Sequence, residues 1–491
     1  MRKKSNLVFI FTDEQAADTL KAYGNDVIHT PNLDRLADQS IVFERAYVTQ
    51  PVCTPSRSTL LTGLYPHTNG CIENNVKLPD EVKCFPELGD FSEYQNAYYG
   101  KWHLGNEIFK QHGFEEWKSI EDFYLKYYDD DKDKDKIQRS TYHHHLVELG
   151  YEPDEVLADG SKGFSRPFCA RLPEEHTKAA YLADESVGFI QNNKENPFIL
   201  FVNFLEPHMP FFGPRDGQYD VAEIPLPANF HHELNEKNPL KLRLLKQALL
   251  ERGHSGLPLK TEEDWKKMIS NYWGLVSLVD AQVGKILDAL EENNLMDDTI
   301  IVFTSDHGDM MGSHRLIAKC TMFEEAVRVP LLMKIPDTEC AGKRVSNPVS
   351  QVDIVPTLLE LMGQKVPEHL QGQSWGPFLK DGKLLDEENV FIEWNGHNNG
   401  MMNNGILQSW LRKYDEDEVK DAIGDPIRTV ITPDLWKFNW SVRGEDELYN
   451  LKADPYEQNN LAYEECHSDL MQSLKEKIKQ WKVKTNDFDN A

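Results

Sequence analysis

Long apolar runs are absent from this 491-residue chain, and without about 20 consecutive apolar residues no helix spans a bilayer. Cysteine is scarce. The seven cysteines are odd in number and form no Cys-x-x-Cys pair, which argues against a disulfide framework and against a zinc clip. Basic residues are outnumbered, 53 Lys and Arg against 81 Asp and Glu, for a formal charge of −28. Nucleic acid and anionic membranes need a basic face, so neither is expected as a partner. A small anionic substrate stays open, because a few cations in one cleft reverse the local field. No internal repeat is visible. Arg2-Lys3-Lys4 opens like a leader, but the apolar run Leu7 to Phe11 is too short and ends at Asp13-Glu14 with no small-residue cleavage site. As written, the chain reads as a soluble cytoplasmic protein, or as a periplasmic or secreted one if a leader was removed. Its length suits a large domain over residues 1–365 and a smaller one over 366–491, divided in the Gly/Pro-bearing stretch that begins at Gly363.

What the chain does have is the string Cys53-Thr54-Pro55-Ser56-Arg57-Ser58-Thr59-Leu60-Leu61-Thr62-Gly63. Pro55 belongs at or near a helix start, and Gly63 where the helix should stop. The cysteine would precede that start. Free N–H groups, the helix dipole and the Arg57 guanidinium all favour an anion there and would acidify the thiol. The plain alternative is a structural cysteine before an ordinary helix.

Three apolar runs read as buried strands, and each delivers chemistry at its carboxyl end, where ligands of α/β sheets gather. Leu7 to Phe11 leads to Asp13-Glu14, Pro197 to Phe204 leads to His208 between two prolines, and Thr299 to Thr304 leads to Asp306-His307. Asp13, Glu14, Asp306 and His307 form an oxygen-rich set suited to a hard divalent cation, the alternative being capping carboxylates and a supporting histidine. Lys101-Trp102-His103 lies in a glycine-flanked loop, Ile41 to Tyr47 reads as one short strand, and Trp273 to Leu290 as a helix. Glu115 to Glu195, with its run Asp129 to Lys136, reads as polar and irregular, and Asn229 to Thr261 as a second substrate-specific insertion. Three adjacent histidines, His143 to His145, point in different directions on any regular element and are not read as a metal site. After Val390 to Trp394 comes a polar loop through His397, which could reach the cleft or be an ordinary turn.

Cys53-x-Pro55-Ser56-Arg57 followed by Leu61-Thr62-Gly63 resembles the maturation signature of the type I sulfatases, whose cysteine becomes formylglycine. The resemblance extends through Thr30 to Ala37, Gly100-Lys101-Trp102-His103-Leu104-Gly105, Pro207-His208-Met209-Pro210, Val352 to Leu359 and the closing strand Glu447 to Leu451, so it covers Asn6 to about Ala462. It implies an alkaline-phosphatase-like α/β fold: a large mixed sheet flanked by helices, with a smaller C-terminal α+β subdomain carrying a short antiparallel sheet. It also implies hydrolysis of a sulfate monoester. Cys53, as an aldehyde hydrate, binds a cation through one hydroxyl and attacks sulfur; Arg57, Lys101, Lys319 and the cation hold the sulfate oxygens. His208 with Lys319 then protonates the leaving oxygen, and His103 takes the proton from the second hydroxyl so that sulfate is expelled. The implied metal ligands are Asp13, Glu14, Cys53, Asp306 and His307 around calcium, with magnesium as the alternative. Lys101, His208, His314 and Lys319 are the candidates for substrate binding.

Two positions depart from the family's usual pairs, with Glu14 after Asp13 and His307 after Asp306. The implied partners are a formylglycine-generating maturation enzyme and a sulfated small molecule or oligosaccharide, the latter suggested by the polar insertions and many aromatic residues. Choline or aryl sulfates, phosphonate monoesters or phosphodiesters, and a sugar-binding role with Cys53 left as a thiol are the alternatives. A two-metal phosphatase is not expected, for want of a second carboxylate and histidine set.

Overall fold

Leu7 to Phe11, Phe198 to Phe204 and Ile300 to Phe303 are apolar throughout except for Asn203, and they lie side by side. In this computed structural model the described residues are 4–124, 138–157, 160–338, 340–381, 383, 385–396 and 410–488. Asp129 to Lys136 and His397 lie outside them. In chain order the main sheet comprises β1 (Asn6–Asp13), β2 (Ile41–Phe43), β3 (Gln95–Gly100), β4 (Glu116–Lys118), β5 (Phe198–Pro207), β6 (Thr299–Ser305), β7 (Leu331–Lys334) and β8 (Arg344–Val345). Its spatial order is β8-β2-β7-β6-β1-β5-β3-β4, with β7 antiparallel to its neighbours β6 and β2. Central β1 is parallel to β5 and β6, with Phe9 level with Phe201 and Val302.

Every residue of β1 is buried, which is why its sequence is apolar without alternation. Leu7, Phe9 and Phe11 point into one core and Val8 and Ile10 into the other. Helices α1 (Pro31–Asp38), α3 (Lys178–Asn193) and α5 (Glu262–Glu292) cover the second face; α2 (Cys53–Thr62) and α6 (Ile354–Leu361) cover the first, while α4 (Leu240–Arg252) adds Leu242 to the first core and turns Leu240, Leu244 and Ala248 into a small separate cluster. No helix among the described residues is long and apolar enough to cross a membrane.

Three stretches differ from the sequence reading. Ile41 to Tyr47 is not one strand: it turns at Glu44-Arg45, and Ala46–Tyr47 pairs with Arg328–Val329 and Val349–Ser350 in a separate small sheet. The stretch from Glu115 to Glu195 is not irregular throughout, because α3 buries Ala179, Leu182, Phe189 and Ile190 on one stripe. Its polar face disguised that stripe. Asn229 to Thr261 likewise contains α4, of 13 residues.

A four-stranded antiparallel sheet follows, formed by β9 (Val390–Asn395), β10 (Pro426–Ile431), β11 (Trp436–Ser441) and β12 (Glu447–Asn450), and backed by α7 (Ser468–Thr485). It is stitched to the segments on either side of α2. The Glu393 N–H donates to Thr49 O at 2.7 Å, Asn395 Nδ2 donates to Gln50 Oε1 at 2.8 Å, and the His67 Nδ1–H donates to Glu393 Oε2 at 2.5 Å.

Burial works against a charge on His67, but the hydrogen bond and charge of Glu393 outweigh it and raise the imidazole's pKa. A histidine raised above its unfolded value of about 6.5 contributes stability that is whole below that pH and fades as pH rises through the folded value. His67→Gln should therefore lower stability by about 1–3 kcal/mol near pH 6. Melting curves of the two proteins should converge towards about pH 9; a pH-independent gap would contradict the charged pair.

Candidate functional site

The parallel strands β1, β5, β6 and β3 end at one edge of the sheet, so Asp13, His208, Asp306 and Lys101 are delivered there by the fold itself. Helix α2 points its start at the same edge. It begins at Cys53, two residues earlier than Pro55 suggested, and closes at Gly63 in the left-handed conformation (φ 68°). One turn in, Arg57 has no exposure at all and fans its guanidinium across three elements. Its Nη2 donates to Asp13 Oδ2 at 2.8 Å, and its Nη1 to Lys101 O at 2.9 Å and Asn203 Oδ1 at 2.6 Å. The Lys101 ammonium takes the same Asp13 oxygen. Burial alone would raise the Asp13 carboxyl, but Lys101, His208 and Arg57 hold it well below the usual carboxylate range.

Cys53, Asp13, Asp306 and His307 converge as one buried donor set. Cys53 Sγ lies 3.3 Å from His307 Nε2 and 3.7 Å from Asp13 Oδ1. The His307 Nδ1–H donates to Gly308 O at 2.9 Å, which leaves the Nε2 lone pair aimed at the cluster, the arrangement of a supported metal ligand. Asp306 Oδ2 is 2.9 Å from Arg57 Nη2 yet off the N–H line, so it makes no hydrogen bond, and Glu14 Oε1 and Asp309 Oδ2 are also buried without one. Several unsatisfied carboxylate oxygens in a dry site would be costly by themselves, and a hard cation takes such oxygens. The residues therefore fit a divalent ion. Burial pushes the Glu14 carboxyl up, against the pull of Lys319 and with the help of Asp309. The expected acidification of the Cys53 thiol is overturned: burial, then the Asp13 charge, push it up. The cations Lys101 and Lys319 pull it the other way and do not outweigh burial.

The remaining candidates surround this set. Gly100 places Lys101: its φ is +122°, and a Cβ there would sit 2.0 Å from Asn203 O. His103 is held at φ 57° and donates from Nε2 to Asn75 Oδ1 at 2.9 Å, which leaves buried Nδ1 unpartnered with its lone pair. Burial, Lys101 and Arg57 all keep that imidazole neutral. The His208 Nδ1–H donates to Met209 O at 2.9 Å, and its Nε2 lies 3.4 Å from Glu14 Oε2, which Lys319 Nζ approaches to 3.0 Å. His314 is not brought into this group. It accepts from Asn229 Nδ2 at 3.0 Å, meets His232 at 2.8 Å and stacks on Phe323.

Sequence reasoning missed the residues that set these groups in place. Asn203 receives Arg57 and itself donates to Phe11 O at 2.9 Å. Glu107 accepts from the backbone N–H groups of Trp102 at 2.9 Å and His103 at 2.5 Å, and Asp309 accepts from Met311 at 2.6 Å and Ala318 at 3.1 Å, bracing the loop to Lys319. An Asn inside an otherwise apolar strand was the one available signal, since a buried amide must be satisfied.

The family model described as Sulfatase matches residues 5–364. The N-acetylglucosamine-6-O-sulfatase of Bacteroides thetaiotaomicron is 28% identical to this chain, over 98% of it and 87% of the relative. Among solved structures, the phosphonate monoester hydrolase of Silicibacter pomeroyi superposes with a TM-score of 0.78 at 22% identity, covering 98% of this chain and 96% of its own. An enzyme solved with its substrate D-glucosamine-2-N,6-O-disulfate gives 0.74 at 23% identity, covering 99% of each chain. These structural likenesses establish the fold, an α/β architecture with a large mixed sheet and a C-terminal antiparallel sheet.

Asp13→Asn should leave Arg57 and Lys101 buried without their shared charge, at a cost of about 3–5 kcal/mol in chemical denaturation without added metal. An unchanged midpoint would show that Asp13 does not hold the two cations.

Proposed function

The chain belongs to the sulfatase family, and on that premise we propose that it hydrolyses sulfate monoesters on carbohydrates, with Cys53 matured to formylglycine beside one divalent cation. The observation that carries this reading is the assembly of Arg57, Lys101 and Lys319 around one buried Cys53, Asp13, Asp306 and His307 donor set. In this reading Asp13, Asp306 and His307, with Glu14 and the residue at position 53, hold the cation; their mostly oxygen donors favour calcium, with magnesium as the alternative. When present, the aldehyde hydrate supplies a nucleophilic hydroxyl and a second hydroxyl for release, and the cation supplies charge against the sulfate oxygens.

The chain's own side chains supply the rest. Arg57 and Lys101, locked through Asp13, cost no reorganisation when charge develops on a sulfate. His103, neutral and with Nδ1 free, is the proton acceptor nearest in character to a general base. Lys319 and His208 meet at Glu14 Oε2 and form the pair that faces the departing oxygen. A maturation enzyme that acts on the Cys53 string is the required partner.

A carbohydrate substrate is supported by the named activity of the Bacteroides thetaiotaomicron relative and by the sugar disulfate held by the structural neighbour. Tyr124, stacked on His103 at 3.8 Å between ring centres, is buried among Lys101 and Arg166 and packs the site rather than presenting a free ring face. The fold shared with a phosphonate monoester hydrolase makes phosphodiester or phosphonate cleavage the alternative.

Matured enzyme assayed on defined sulfated mono- and oligosaccharides, choline sulfate, an aryl sulfate and a phosphate diester should favour at least one sulfated sugar by about tenfold or more in kcat/KM. Preference for the diester would overturn the sulfatase reading. Activity confined to choline sulfate would overturn the carbohydrate reading.

A further inference from the structure

A cavity of about 350 Å³ opens where the C-terminal sheet and α7 meet the turns around α6. That volume is within the roughly 300–1,000 Å³ of small-molecule sites. It lies at the opposite end of α2 from Cys53. The helix has ten residues, so at about 1.5 Å each its closing Gly63 is about 15 Å from the cysteine. Tyr65 lies two residues further on and reaches the cavity. Its N–H donates to Gln371 Oε1 at 2.8 Å, and the Gln371 N–H donates back to Gly63 O at 3.3 Å, so this wall is fixed to the end of α2. The other walls come from the turn before α6, the segment after it, the approach to β9 and the last turns of α7.

The lining mixes donors, acceptors and rings. On α7, Lys477, Gln480, Trp481 and Lys484 recur every three or four residues and so share one face, and the approach to β9 adds Asp386 and Glu388. Asp353 Oδ1 accepts from the Gln373 N–H at 2.7 Å, and the charges of Glu388 and Lys484 both reach this carboxyl. Burial pushes it up to about 7, against the pull of the Gln373 and Ser350 N–H groups and of Lys484, so near neutral pH its protonated form can donate as well as accept. Phe391 stacks on Trp481 at 5.1 Å between ring centres, Trp481 meets Tyr65 edge to face at 5.0 Å, and Phe378 and Phe391 are only half-buried. An anion in this space would meet Asp353, Asp386 and Glu388, and a cation would meet Lys477 and Lys484. An uncharged ring bearing hydroxyls avoids both penalties. Each hydroxyl donates to a carboxylate and accepts from an ammonium or amide, while the C–H face packs on an aromatic ring.

We propose that this cavity is a second saccharide site, which binds an uncharged sugar unit through Asp353, Glu388, Gln480 and Lys484, remote from the Cys53 centre. The site is defined by its own lining and goes beyond the sulfatase reading. Two sources share this chemistry: a free sugar, and an unsulfated unit of the chain being cleaved, which would hold a polymeric substrate on the enzyme.

The test is calorimetric titration of the full-length protein with galactose, mannose, N-acetylglucosamine, cellobiose, lactose and diacetylchitobiose, none of which carries a charge. At least one should bind with a Kd of about 1 mM or tighter. Glu388→Ala with Gln480→Ala, both at exposed positions, should together weaken that binding about tenfold or more and leave the melting temperature unchanged. No heat of binding from any probe at about 10 mM, or binding that survives the double variant, overturns the site. In matured enzyme the same double variant separates the sources. A lower kcat/KM on a sulfated oligosaccharide but not on its sulfated monosaccharide assigns the bound unit to the substrate chain; unchanged rates on both, with sugar binding lost, assign it to a free sugar. If the matured enzyme cleaves no sulfate monoester at all, the sulfatase reading fails while the titrations still decide the site.

Discussion

A single carboxylate, Asp13 at the end of the central strand, holds this site together by accepting two buried cations on one oxygen. Arg57 reaches it from α2 and Lys101 from the loop after β3, so the helix, the strand and the loop cannot move independently. Its other oxygen remains turned towards Cys53. That division of labour explains why the cluster tolerates so much buried charge. One side of Asp13 neutralises the cations that a sulfate would meet, and the other side contributes to the donor set a divalent ion would complete.

The backbone is shaped to the same end. Gly100 lets β3 approach β5 closely enough for Lys101 and Asn203 to face Arg57 together, and Glu14 and His103 are both held at positive φ. Strain at such positions persists only where surrounding contacts over-determine it. Here those contacts are visible: Asp306 Oδ1 accepts from the Glu14 N–H at 3.0 Å, Tyr272 donates to Glu14 O at 2.7 Å, and Glu107 grips the amides of Trp102 and His103. The reactive groups are therefore positioned before any substrate arrives.

Much of this was legible in the sequence where chemistry and periodicity coincided. The apolar runs ending in Asp13, His208 and Asp306 announced parallel strands with their cargo at one edge, and Cys53 to Gly63 announced a helix with an arginine one turn in. What was not legible depended on partners distant in sequence. The thiol was expected to be acidic because a helix start and Arg57 adjoin it, but burial and the Asp13 charge outweigh the surrounding cations. Helix α3 hid behind a polar outer face, and α4 inside an insertion. Glu107 and Asp309 gave no signal because each acts through backbone amides of a loop whose shape no local pattern reveals. The cavity beside α7 is the clearest case: in sequence Tyr65, Asp353, Glu388 and Gln480 are scattered residues, and only the fold brings them to one space.

The chemistry of the site turns on what position 53 becomes. As a thiol, Cys53 is buried and its pKa is raised, which makes it a poor nucleophile amid groups arranged to hold an anion and a cation. The most direct measurement is mass spectrometry of the tryptic peptide that carries Cys53, from protein made in its native host. The account predicts the aldehyde or its hydrate at position 53 in the catalytically competent fraction. Unmodified thiol throughout, in protein that nonetheless hydrolyses sulfate esters, would contradict it.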